Sequence, residues 1–143
     1  MNDPARSEER LLERLASFTL FADLTQAQLR AIAHDFEEAY FASGDRVLRR
    51  GLSGAGFYLI LEGIATARVD GRLLNRLEPG DFFGEISSLL GVPPTNDVLA
   101  ETELRCIVLP ASSLERILVA YPRLAFRMLQ VEARRLRSAT ERG

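Results

Sequence analysis

Hydrophobic positions fall at helical spacing in the first 34 residues, at alternating spacing through the middle of the chain, and at helical spacing again after residue 110. Residues 7 to 17 alternate charge with Leu11, Leu12 and Leu15, which predicts an amphipathic helix. Phe18, Leu20, Phe21 and Leu24 follow as a dense apolar cluster. Thr25-Gln26-Ala27-Gln28 has the form of a capping box, so a second helix over roughly 25 to 34 follows, with Leu29, Ile32 and Ala33 facing inward.

From Phe36 the period is two, and glycine-rich separators cut the chain into short runs: 39–41, 46–49, 57–61, 64–69 and 73–77. Asp70-Gly71 between two alternating runs predicts a hairpin, because a type I′ turn needs positive φ at both central residues. Two more strands are expected at 98–100 and 105–109, then a helix from Pro110 to about Val119. Tyr121-Pro122 breaks that helix, and a final one runs to about residue 139. The layout is α+β: N-terminal helices at 7–34, an eight-stranded antiparallel jelly-roll barrel at 36–109, and C-terminal helices at 111–140.

With 143 residues and 47% hydrophobic content, the chain suits one core and a single domain over 1–143. A net charge of −2 gives no overall footprint for nucleic acid. All 18 basic residues are Arg. The lone Cys106 excludes an internal disulfide or a four-Cys centre, and its apolar surroundings read as core. His34 lies in a helical pattern, where a cap or packing role outweighs a ligand role. Metal-dependent chemistry on a barrel needs two or three His with a carboxylate, and nucleophilic catalysis needs a His partner for Cys106 or a Ser. Neither pattern is present, so no catalytic and no metal-binding residue is expected and the chain reads as a non-enzyme. No apolar run reaches membrane-spanning length and the N-terminus is charged rather than signal-like, which makes a cytoplasmic protein the expectation.

Residues 80–98 depart from generic β structure: a turn, two aromatics, a Gly-Glu step into one short helix, a Pro-rich break and a return strand. Phe82 and Phe83 read as core rather than a stacking platform. The first N–H groups of such a helix have no internal partner and suit an anion.

The order Ala42-Ser43-Gly44-Asp45, Arg50-Gly51, Phe57-Tyr58-Leu59-Ile60, Glu62-Gly63 and Pro79-Gly80-Asp81-Phe82-Phe83-Gly84-Glu85 resembles the cyclic-nucleotide-binding domain, over about residues 17 to 136. That is the module of the catabolite activator protein, of cyclic-nucleotide-dependent kinases and of gated channels. The resemblance implies a regulatory module with no resident cofactor, whose possible ligand is a cyclic nucleotide, cAMP or cGMP, held by a phosphate-binding cassette. Glu85 would accept the ribose 2′-hydroxyl, the backbone N–H groups of Ile86 and Ser87 would meet the cyclic phosphate, and Gly84 would let the backbone approach. Thr95 falls beside the phosphate, and Asn96 stands where a small apolar residue is usual.

One position departs from the pattern. Ligand-binding members carry Arg where this chain has Pro94, which offers neither charge nor N–H. Weakened binding is therefore expected, unless Arg68, Arg72, Arg76 or Arg105 substitutes from a neighbouring strand. Asp97 adds a carboxylate nearby. The alternative is a degenerate, ligand-free domain used for dimerisation or protein docking.

Relatives dimerise through the terminal helix, which here holds Leu124, Met128, Val131 and Leu136, so a homodimer through this helix or a protein partner is expected. From Arg123 to Arg142, six Arg face Glu132 and Glu141, and a solvated face outweighs a nucleic-acid or lipid surface. Activator relatives carry a helix-turn-helix after the long helix. Here the chain ends at Gly143, and no DNA-binding domain is expected.

Overall fold

The computed structural model describes residues 3–51 and 56–142. The order of elements is α1 (Pro4–Ala16), a 3-10 turn (Thr19–Phe21), α2 (Gln26–Ala33), β1 (Glu37–Phe41), β2 (Arg46–Leu48), β3 (Phe57–Glu62), β4 (Ala65–Val69), β5 (Arg72–Leu77), β6 (Phe82–Phe83), α3 (Glu85–Leu90), β7 (Asp97–Ala100), β8 (Leu104–Leu109), α4 (Ala111–Ala120) and α5 (Pro122–Arg142). Contacts group these into two compact units, residues 36–116 and residues 1–35 with 117–143.

In the helical unit, α1 begins three residues before the expected start. Asp3 caps it by accepting from the Ala5 N–H at 3.1 Å, and Pro4 occupies the first turn, where a missing N–H costs nothing. The capping box of α2 forms in both directions: Thr25 Oγ1 accepts from the Gln28 N–H at 3.1 Å, and Gln28 Oε1 accepts from the Thr25 N–H at 2.9 Å. His34 is the C-terminal cap residue of α2. Leu12, Leu15, Phe18, Leu20, Phe21, Leu29, Ile32, Leu124 and Met128 are buried. Arg127 of α5 grips Asp23 with Nε and Nη2, at 2.8 and 3.2 Å. Leu136 is 69% exposed.

The β unit corrects the closed barrel. Among the described residues its eight antiparallel strands form two four-stranded sheets, ordered β1-β8-β3-β6 and β2-β7-β4-β5. A jelly roll assembled as two facing sheets buries its inner side chains without closing on itself. Leu48, Ile60, Ala65, Ala67, Leu77, Phe83, Val98, Ala100, Leu104 and Cys106 make the core, with Phe41, Val47 and Tyr58 packed against it. Alternation decides which residues these are, since Val98 and Ala100 of β7 point in while Asp97 and Leu99 point out.

The β4–β5 turn has φ of 51° at Asp70 and 75° at Gly71, the positive pair that an Asp-Gly hairpin demands. The two Gly-Asp corners are built alike. Asp45 Oδ2 accepts from the Ala42 N–H at 2.9 Å and Asp81 Oδ2 accepts from the Glu78 N–H at 2.8 Å. The glycine before each has φ of 93°. These carboxylates are turn makers, so the corners support the fold whatever the chain binds. The expected separator at 51–56 lies, for Leu52 to Ala55, outside the described residues.

Candidate functional site

The short helix α3 starts where β6 ends. Gly84 is its N-terminal cap with φ of 82° in the left-handed region. A Cβ there would run into the Gly56 carbonyl oxygen, so the close approach that Gly84 permits is to the chain's own backbone at the start of β3. Gly91 closes α3 at φ of 67° with open space around it.

Glu85, the first residue of α3, is 5% exposed. Among the described residues it shares the status of buried polar or charged side chain only with Thr66. A carboxylate is costly to bury unless it is bonded, so its placement is specified rather than incidental. The first bond of the helix runs from the Ser88 N–H to the Gly84 carbonyl at 3.1 Å, and the N–H groups of Ile86 and Ser87 lie ahead of it. The Ile86 side chain is 43% exposed and Ser87 is half-buried. Ser88 Oγ is buried with no hydrogen-bond partner among the described residues.

Phe82 and Phe83 are both buried. Phe83 also stacks on Tyr58, with ring centroids 4.8 Å apart and planes 5° apart, and Tyr58 meets Phe41 at 6.4 Å. Burial pushes the Tyr58 hydroxyl pKa up, with the nearby Cys106 thiol adding to the shift. Burial alone pushes the Cys106 thiol up to about 12, which keeps it a neutral core side chain.

The second half of the stretch is tied to the end of β2. Pro94 is buried, and its carbonyl accepts from the Gly51 N–H at 2.9 Å. Asp97 Oδ1 accepts from the Arg50 N–H at 2.8 Å. Thr95, between these ties, is exposed, and half-buried Asn96 donates from Nδ2 to the Asp97 carbonyl at 3.1 Å. Asp97 is thus a latch for the β2 end, a role invisible in sequence because its partner lies 47 positions away.

The four arginines named as substitute cations are placed differently. Arg105 bridges Glu38 at 2.8 Å and Glu62 at 3.2 Å on the β1-β8-β3 sheet. The Tyr40 hydroxyl and the Arg105 guanidinium together hold the Glu38 carboxyl below its usual range. Arg76 pairs with Glu78 at 3.4 Å. Arg68 donates to Thr66 Oγ1 at 3.2 Å and pairs with Glu101 at 3.4 Å, and the Thr66 hydroxyl bonds Glu101 as well. These bonds, with burial opposing them, lower the Glu101 carboxyl pKa. Arg72 has no ion pair among the described residues; it opposes Val69 in the β4–β5 ladder. Arg50, outside that set, bonds Asp97 through its own N–H and precedes Gly51, whose N–H reaches the Pro94 carbonyl.

Among the described residues no three His, Cys, Asp or Glu are grouped to hold a metal ion, and no helix is long and apolar enough to cross a membrane.

Comparison with known proteins follows the same outline. A cGMP-dependent protein kinase of Toxoplasma gondii is 31% identical over 119 residues, which is 83% of this chain and 12% of the kinase. The chain therefore spans about an eighth of that relative. A regulatory domain of Toxoplasma gondii PKA crystallised with cAMP superposes with a TM-score of 0.78 at 19% identity, covering 90% of this chain and 51% of that one. The regulatory subunit of a cAMP-independent protein kinase A from Trypanosoma brucei gives 0.75 at 24% identity, over 88% and 48% of the two chains. The two structures share the fold; one is described with cAMP and the other as cAMP-independent. The glycine corners, the buried Glu85 and the short helix between β6 and β7 lie within residues 38–121, the span matched by the cyclic nucleotide-binding domain profile, and the chain belongs to that family.

Proposed function

We propose that this chain is a non-enzymatic, cytoplasmic regulatory module that senses a cyclic nucleotide at residues 84–96. The observation that carries the reading is the buried carboxylate of Glu85 at the head of α3, in a member of this family. As a pure acceptor, Glu85 suits a ribose hydroxyl. Gly84, Ile86 and Ser87 supply backbone ahead of the first helical bond, and Thr95 and Asn96 supply side chains across the Pro-rich turn.

Binding is weak in this reading. Removing one partner of a buried guanidinium–phosphate pair costs about 2–5 kcal/mol, so Pro94 lowers affinity by tens to thousands of times. Calorimetry with cAMP and cGMP tests it. Heat that disappears in Glu85→Ala supports the site, and no heat with no thermal shift at millimolar nucleotide, in the unaltered chain and in Pro94→Arg alike, refutes it. Pro94→Arg should tighten binding.

One observation favours a second reading, a module that pairs through α5. Phe126, Leu129 and Leu136 are 46%, 64% and 69% exposed, and with exposed Ala133 they repeat at 3-4-3 spacing, the seam of a two-stranded coiled coil. Light scattering decides it: a dimer that Leu129→Arg converts to monomer supports pairing, and a monomer at all concentrations excludes it.

A further inference from the structure

The charge absent at position 94 has a candidate replacement one residue from Pro94's own hydrogen-bond partner, an inference that rests on reading residues 84–96 as a nucleotide site. Gly51 bonds the Pro94 carbonyl, and the Arg50 N–H bonds Asp97. These two bonds fix Arg50 beside the turn on either side of Thr95 and Asn96. The Arg50 guanidinium then reaches the β4–β5 hairpin tip, where Nη1 meets Asp70 Oδ1 at 3.0 Å.

Strands β2 and β4 pair with opposite edges of β7. In register, Leu48 opposes Val98, and Arg68 opposes Asp97. A side chain running from just beyond β2 to the tip beyond β4 therefore crosses the start of β7, at the step where the chain leaves the Pro-rich turn.

We propose that Arg50 supplies the phosphate-binding cation of this site, with Asp70 as its counter-ion when no nucleotide is bound. The Arg50 and Asp70 side chains are 52% and 83% exposed, and such a pair is worth only about 0–1 kcal/mol. A phosphate offers the planar guanidinium two oxygens in the same fork geometry as a carboxylate, so the exchange is close to isosteric. The competing arginines are less well placed: Arg68 and Arg105 hold their carboxylates with side chains 31% and 33% exposed, more enclosed than Arg50, and Arg72 and Arg76 sit on β5, which β4 separates from β7.

The test is calorimetric titration with cAMP and cGMP of the unaltered chain and of Arg50→Gln, Asp70→Asn and Pro94→Arg, each checked for folding by its thermal midpoint. Arg50→Gln should weaken binding at least tenfold. Asp70→Asn should tighten it several-fold, because it removes the competing carboxylate while Asn keeps the left-handed turn conformation. In the Pro94→Arg background, Arg50→Gln should matter little. Binding by Arg50→Gln within twofold of the unaltered chain overturns the proposal, as does an Asp70→Asn variant that binds no better. An unaltered chain that is silent while Pro94→Arg binds also overturns it, because Arg50 then fails to substitute, yet the site survives. Silence in both refutes the nucleotide site, and this inference falls with it.

Discussion

Gly84 and Gly91 flank the same short helix, both in the left-handed region, and they differ in what surrounds them. Gly91 has φ of 67° and no atom within 4 Å of an added Cβ, so Gly91→Ala carries only the backbone penalty. That penalty is about 1–2 kcal/mol for a left-handed L-residue, partly offset by the lower entropy of the unfolded Ala chain, about 0.4–1 kcal/mol. The net is about 1 kcal/mol. At Gly84, φ is 82° and the added Cβ meets the backbone oxygen of Gly56, which cannot swing aside as a flexible side chain would. Relieving that overlap by backbone shifts adds about 1–3 kcal/mol, so Gly84→Ala should cost about 2–4 kcal/mol. At about 2–4 °C per kcal/mol for a chain of this size, the thermal midpoint should fall by about 3 °C for Gly91→Ala and about 10 °C for Gly84→Ala. Paired urea titrations and melts without any nucleotide give the comparison. Equal losses at the two positions would refute the reasoning, because the Gly56 contact would then contribute nothing and Gly84 would be there for a ligand alone.

Other outcomes follow from the same structure. Thr25→Ala removes one arm of the capping box and should lower stability by about 1 kcal/mol, read by denaturant midpoint. Asp97→Ala leaves the Arg50 N–H without its acceptor and should cost about 1–2 kcal/mol with no nucleotide present; an unchanged midpoint would remove the latch. The Cys106 thiol, raised by burial from 9.0 to about 12, contributes stability fully present below pH 9 and lost as pH rises toward 12, because only the unfolded chain ionises there. Between pH 8 and 10.5 the loss is about 2 kcal/mol from linkage, and Cys106→Ala should show a correspondingly shallower alkaline slope.

What sequence conveyed here follows the range of each interaction. The Thr25–Gln28 box and the Asp70–Gly71 turn are closed within four residues, so their chemistry is visible in the string itself. The start of α1 was equally local: Asp3 followed by Pro4 is a cap and a first-turn proline, although the hydrophobic period begins only later. The division into two sheets was not visible, because β1 pairs β8, joining residues near 39 to residues near 106, and many registers satisfy the same alternation. In the candidate site, Gly84 and Glu85 could be picked out from the family pattern, whereas the burial of Glu85 could not. The ties Gly51–Pro94 and Arg50–Asp97 were not, since nothing near Asp97 marks it as a backbone acceptor.

Those ties change how the departures from the family pattern are weighed. From sequence, Pro94, Asn96 and Asp97 together speak for a degenerate pocket, with Asp97 adding a carboxylate nearby. In the structure Asp97 accepts an N–H and Asn96 bonds the neighbouring carbonyl, so both serve the turn. A carboxylate that accepts an N–H has part of its field directed into that bond, and it holds the Arg50 backbone beside the turn. Asp97 keeps its charge, but with Asn96 and Asp97 accounted for in the turn, Pro94 is left as the departure that removes a cation. A deficit confined to one cation is one that a neighbouring arginine or a single substitution can make good. A pocket degraded at three positions would not respond to Pro94→Arg at all.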